Sequence, residues 1–329
     1  MDTSLFLQLA DPHNLYEAWR SVWRKNGAPG CDGKRVQDFF RDEKNNILSI
    51  SSALRQGRYD PLPFRTKYIP KSSPGKWRRL SIPSVRDRIV QQCANTILQH
   101  SFDQIFAPSS FAYRPGRSIR DAIAAIRRGL SAGLQWAVHG DIRGCFDEID
   151  RDILSTLMKK TVKDPLFLSV LNKTIRAPVL HRGYLQNLPR GIPQGSPVSP
   201  FLSNLYLHQL DCALLSQGHF LIRFADDWII LSRDYPSSCD ALKTALNTMT
   251  LLNIRLNREK SGIIDLRQNS VNFLGHCIDG STISADRKGW RRAFDTAHDL
   301  RSAQNRQDYL RARGNILGMQ AMYSNTGRI

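Results

Sequence analysis

The sequence predicts a mixed α/β (α+β) protein with two or three lobes, and three observations carry that prediction. Residues 221–231, LIRFADDWIIL, are an apolar, aromatic and β-branched run with the composition of a buried strand pair. Residues 134–142, LQWAVHGDI, form a second strand-like run that ends at Asp141. Around them lie helical segments, and 329 residues suffice for a large core and more than one lobe.

Taken in order, residues 12–60 read as a helix-loop-helix entry, split by the turn-rich GAPGCDG at 27–33. From 51 to 100 there are ten Lys+Arg and two acidic residues, Asp60 and Asp87. Within that basic stretch Tyr68–Lys71, a Ser-Ser-Pro-Gly turn at 72–75 and the KWRRL at 76–80 read as a β-hairpin with cations at its tip. Residues 84–106 have apolar positions at helical spacing and should pack as a core helix. The Arg114-Pro-Gly-Arg117 turn then opens a helix near Ser118. Its N-terminus suits a phosphate beside nearby arginines, or a cap supplied by Ser118 or Asp121.

After Asp141, the residues Gly144, Cys145 and Phe146 turn the chain into an acidic segment, with Asp150 placed as the N-cap of the next helix. Residues 163–186 carry little pattern. LPRGIPQGSPVSPFLSNLYLHQL at 188–210 is a Gly/Pro/Gln/Ser loop followed by an amphipathic helix, with Gln194 beside the helix start. A helix near 238–253 and a short hairpin from LNREKSGIIDL to VNFLGHCID follow. The last 49 residues carry nine Lys+Arg against four Asp and look mostly helical.

Overall, 47 Lys+Arg against 29 Asp+Glu give a net charge of +18. That balance calls for a polyanionic partner, nucleic acid ahead of anionic membrane. No run of 18 apolar residues and no signal-peptide pattern is present, so a soluble intracellular protein with no membrane partner is expected. Six scattered cysteines without zinc spacing read as free thiols.

The adjacent carboxylates Asp226 and Asp227 interrupt the apolar run at its centre. Burying them unpaired costs several kcal/mol, roughly, so they belong at an exposed turn or beside cations. An ordinary Asp-Asp hairpin turn satisfies the first condition and a divalent metal site the second. Together with Asp141, a basic hairpin and a Gln/Gly loop, the pair supplies the parts for two-metal phosphoryl transfer from a nucleoside triphosphate.

At these residues the sequence resembles reverse transcriptases, specifically the bacterial group II intron-like lineage. NGAPGCDG, YIPKSSPGKWRRLSIPSVRDRIVQ, FAYRPGRS, HGDIRGCFDEID, LPRGIPQGSPVSPFLSNLYL, RFADDWIILSR, LNREKS and NFLGH occur in the family's order over about 26–280. The resemblance implies a right-hand polymerase with fingers, a ferredoxin-like palm and a helical thumb. It places an N-terminal extension and fingers at 1–110, the palm at 111–280 with part of the fingers inserted near 155–200, and the thumb at 281–329. It implies an RNA-directed DNA polymerase in the bacterial cytoplasm, extending a DNA or RNA primer on an RNA template from dNTPs.

By the same resemblance Asp141, Asp226 and Asp227 are catalytic. With the Ile142 backbone carbonyl they bind two Mg²⁺ ions, for which Mn²⁺ can substitute. Lys71 and Arg78 would hold the triphosphate, Gln194 would line the incoming nucleotide and Phe146 would face its sugar; Phe146 also reads as a plain core aromatic. Gly275 would lie in the primer grip, with Arg114, Arg117, Arg291 and Arg292 as further template or primer contacts. Phe224 stands where most relatives have tyrosine, and Arg79 where group II relatives usually carry proline. The expected form is free-standing, without maturase and endonuclease regions, with a dedicated structured RNA or CRISPR adaptation proteins as candidate partners. Spacer acquisition, phage defence or a reduced intron are its candidate settings. The alternative is a maturase-like RNA-binding splicing cofactor, in which the carboxylates are dispensable.

Overall fold

The computed structural model describes residues 4–70, 75, 77–280 and 282–285. Lys71, Arg291, Arg292 and nearly all of the expected thumb lie outside them.

The chain enters through α1 (Leu5–Leu9), α2 (Pro12–Lys25), α3 (Val36–Phe40) and α4 (Glu43–Arg55). Helix α2 starts where the Asp11 carboxylate accepts from the backbone N–H groups of His13 and Asn14, with Pro12 at the first helical position. It stops at Asn26, which adopts the left-handed conformation that ends helices. Strands β1 (Phe64–Pro70) and β2 (Trp77–Ile82) form the expected antiparallel hairpin. Helix α5 (Val85–Phe102), capped by Ser84, is the expected core helix and packs against α2.

Next come α6 (Ile119–Ser131), β3 (Trp136–Asp141), α7 (Cys145–Glu148), α8 (Arg151–Thr161) and α9 (Pro165–Arg176). Asp150 caps α8 as read from the sequence, accepting from Asp152 and Ile153 N–H. Short strands β4 (Val179–His181) and β5 (Tyr184–Gln186) return to the first hairpin and complete a sheet of order β2-β1-β4-β5.

Helix α10 (Ser199–Ser216) leads into β6 (Phe220–Phe224), β7 (Asp227–Ser232), α11 (Tyr235–Leu251) and β8 (Gly262–Asp265). With β3 these strands make a second sheet, β6-β7-β3-β8, antiparallel throughout. Its β3–helices–β6–β7–α11–β8 connectivity is the ferredoxin-like arrangement that the sequence resemblance implies. The last described strands, β9 (Ser270–Phe273), β10 (His276–Asp279) and β11 (Thr282–Ala285), form a third sheet.

Two expectations are corrected here. Helix α10 is not amphipathic: Phe201, Leu205 and Leu210 are buried, and so are the polar Ser199, Ser203, Asn204 and Asp211. It is packed between β6 and the helices α5, α8 and α11, which leaves little of it to face water. The expected hairpin over 256–279 also divides, because β8 pairs with β3 (Val138 opposite Ile263) while β9 pairs with β10.

Candidate active site

Strands β3 and β7 run antiparallel with Asp141 directly opposite Asp227 and Gly140 opposite Trp228. A Cβ on Gly140 would fall 2.0 Å from the Trp228 ring, so the indole lies on bare backbone and fixes the pair one step below the aspartates. Asp226 sits in the two-residue turn between β6 and β7. Ala225 opens that turn at φ 60, a left-handed conformation that strains a residue with a side chain. The backbone N–H of Ile142 donates to the Asp226 carbonyl at 3.2 Å, tying the turn to the end of β3.

Each carboxylate has a distinct environment. The Asn257 amide donates to Asp141 Oδ2 at 2.7 Å, Lys260 Nζ stands 3.5 Å from the same oxygen, and the Asp141 N–H donates to Ser261 Oγ. Asp227 Oδ1 lies 2.8 Å from His139 Nε2. Burial first, then the charges of Asp141 and Asp227, push the Asp226 carboxyl above its ordinary value, while Arg78 pulls it back. Three hard oxygen donors at one sheet end, one of them discouraged from ionising by burial and then by like charge, suit a divalent cation. They are not a ready-made cluster: among the described residues no three His, Cys, Asp or Glu side chains are arranged to hold a metal ion. Asn257 and Lys260 engage Asp141, and His139 engages Asp227.

The profile of the family described as "Reverse transcriptase (RNA-dependent DNA polymerase)" matches residues 69–278, the larger part of the sequence. The chain belongs to the reverse transcriptase family. Among curated proteins it is similar to the group II intron-encoded protein LtrA of Lactococcus lactis subsp. cremoris, 35% identical over 64% of this chain and 35% of the relative. The match thus spans about a third of LtrA. Protein YkfC of Escherichia coli is 28% identical, with 84% of each chain covered. Among solved structures, telomerase from Candida albicans shares the fold at a TM-score of 0.57, with 12% identity over 87% of this chain and 58% of that one. Reverse transcriptases use divalent metal ions and work on a template and primer.

The other residues expected of a reverse transcriptase fall around the carboxylates in different ways. Arg78 lies on exposed β2, opposite Ile69. Gln194 is half-buried, and its backbone carbonyl accepts from the Ser81 N–H at 2.8 Å, which sets its loop against β2. Phe146 is half-buried against the core, and its carbonyl accepts from Ile192 N–H. Phe224 is half-buried and packs against the core cluster that includes Ile222 and Ile229. Arg79 reaches Asp147 at 2.6 Å and so joins β2 to α7. Gly275 takes φ 77 in the β9–β10 turn.

Arg114 turns inward. Its guanidinium donates to the Asp103 carboxylate and to the carbonyls of Asp103, Ala107 and Ser110, so it shapes its loop instead of offering a donor to a phosphate. The start of α6 is likewise closed by its own cap, with Asp121 accepting from Ser118 N–H and Ser118 from Asp121 N–H. Arg117 donates to the Pro108 carbonyl and lies over the Phe111 ring. It lines a cavity of about 950 Å³ with Lys25, Arg88, Tyr113 and Gly195, and among the described residues no Asp or Glu contributes to the lining.

The sequence reading missed the residues that hold the aspartates: His139, Asn257 and Lys260 at their carboxylates, Ser261 at the Asp141 backbone, and Arg223 behind the turn. All five lie in the quoted blocks HGDIRGCFDEID, RFADDWIILSR and LNREKS, but local spacing does not show that LNREKS folds back onto Asp141. Tyr113 was missed as well. It is left-handed at φ 60 and lines the cavity with Arg117, and burial and then the charge of Asp226 raise its hydroxyl pKa.

Proposed function

We propose that this chain is an RNA-directed DNA polymerase that extends a DNA or RNA primer along an RNA template, using dNTPs. The observation that carries the reading is the placement of Asp141, Asp226 and Asp227 at one end of the β3–β7 pair in a chain of the reverse transcriptase family. Those side chains, with the Ile142 carbonyl, would hold two Mg²⁺, replaceable by Mn²⁺; such ions lower the pKa of a primer 3′-hydroxyl and offset charge on the departing pyrophosphate. Arg78 and Lys71 orient the triphosphate as charge-assisted donors. Gln194, fixed against β2, lines the incoming nucleotide, and Phe146 meets its sugar. Arg117 and the basic cavity receive the template, while Gly275, Arg291 and Arg292 hold the primer–template duplex.

Asp226→Asn or Asp141→Asn removes a metal ligand at nearly constant volume. Each should lower primer extension on RNA by about a hundredfold to a thousandfold, with RNA affinity and melting temperature largely kept. Near-wild-type extension by either variant would sink the reading, and RNA binding by a wild-type protein that never extends a primer would favour the splicing-cofactor role. Phe146→Val sharpens the assignment: if the ring excludes a 2′-hydroxyl, ribonucleotide use should rise roughly tenfold to a hundredfold relative to dNTP in single-nucleotide incorporation. A well-folded variant with an unchanged ratio means Phe146 only packs.

A further inference from the structure

We infer that Arg223 and Asp211 are positioning residues for the Ala225–Asp226 turn, a role that deepens the polymerase reading and rests on it. Arg223 lies in β6 and Asp211 in α10, and both side chains are fully buried. All five guanidinium donors are used. Nε and Nη2 donate to the two Asp211 oxygens at 2.6 Å each. Nη2 also donates to Ser110 Oγ at 2.9 Å, and Nη1 to Asn204 Oδ1 and to the Ala225 carbonyl, both at 3.0 Å. The Arg223 backbone is fixed too, donating to the Ser109 carbonyl and accepting from Phe111 N–H.

A buried ion pair is a weak source of stability, because desolvation offsets much of its attraction and apolar residues of equal volume often replace it at no loss. The destination of the remaining bond supplies a better reason for this one. Ala225 immediately precedes Asp226 and is held at φ 60, a conformation that persists in a non-glycine residue only where the surroundings over-determine it. Arg223 grips the carbonyl of that strained residue, and so fixes the direction in which the next side chain leaves the turn. Asp211 and Asn204 hold the guanidinium from α10. Ser110 holds it from the segment before Arg114, and Arg114 binds the Ser110 carbonyl at 2.9 Å. The turn is therefore referenced to α10 and to the 109–114 segment, not only to its own two strands.

The test separates aim from stability. In the double variant Arg223→Met/Asp211→Leu, the core remains filled while the grip on Ala225 is lost. Mn²⁺ binding to the protein alone, followed by electron paramagnetic resonance, should weaken about tenfold, and the Mg²⁺ concentration for half-maximal extension should rise in parallel. Ser110→Ala deletes one hydroxyl and no charge, so it serves if the double variant does not fold; it should shift both readouts about threefold in the same direction. Adding Ala225→Gly to Ser110→Ala should move both values back toward wild type, since glycine takes the left-handed conformation without strain. Unchanged Mn²⁺ binding in a folded Ser110→Ala or double variant overturns the positioning role. Wild-type protein that binds Mn²⁺ but extends no primer counts against the polymerase reading alone.

Discussion

Hairpin β6–β7 presents Asp226 on strands whose side chains are mostly buried, whereas β1–β2 presents Arg78 on strands that are mostly exposed or half-buried. In the palm the backbone is locked from below by Trp228 on Gly140 and from behind by Arg223 on Ala225. In the fingers, one ion pair, Arg79 to Asp147, and the Ser81–Gln194 bond join β2 to the elements beside it. The contrast fits the two tasks proposed above for these hairpins. Ligands for a compact cation need fixed relative positions, while a cation that meets a flexible triphosphate needs reach.

Gly140→Ala should break the contrast at its strongest point. The added methyl drives the indole off its seat, for a cost of about 1–3 kcal/mol that a thermal melt would show as a drop of several degrees. A melt unchanged from wild type would mean that the hairpin adjusts freely. The matching change in the fingers, Arg78→Ala, should leave the melt within about 0.5 kcal/mol of wild type and raise the dNTP KM roughly tenfold. A lower melting temperature with an unaltered KM would reverse the roles given to the two hairpins.

The smallest expected effect is electrostatic. Asp226 holds its proton more tightly folded than unfolded, so its contribution to stability is greatest in acid. It is lost as pH rises from the ordinary value of 3.8 through the raised folded value. With divalent ions chelated, Asp226→Asn should melt above wild type near pH 7, and the gap should close below pH 3.8. A gap independent of pH would show that the carboxylate is not strained by its neighbours.

Features signalled by neighbouring residues were legible in the sequence. The Asp-Asp turn stood out as charge inside an apolar run, and Asp150 and Ser118 stood out as caps because each partner lies within three residues. Contacts set by tertiary structure were not. Arg223 is as anomalous in its run as Asp226, but its partner Asp211 lies on a helix whose burial depends on what packs around it. Arg114 looked free for phosphate because its acceptors are mostly backbone carbonyls, which every residue carries and no motif advertises. Strand β8 resembled half of a local hairpin until β3 claimed it.

The loop between β5 and α10 is anchored at two interior points by glycine. A Cβ on Gly191 would fall 2.7 Å from the Asp147 carbonyl oxygen, and one on Gly195 would fall 2.8 Å from that of Ser81. The stretch from 191 to 195 is thus a strap of fixed length sewn to α7 at one end and to β2 at the other. One residue more or fewer there would displace Gln194 or pull β2 from its place, whereas the exposed Arg182-Gly183 turn between β4 and β5 has room for insertions. For anyone grafting a tag or transplanting segments between relatives, chain length is negotiable at the second site and not at the first.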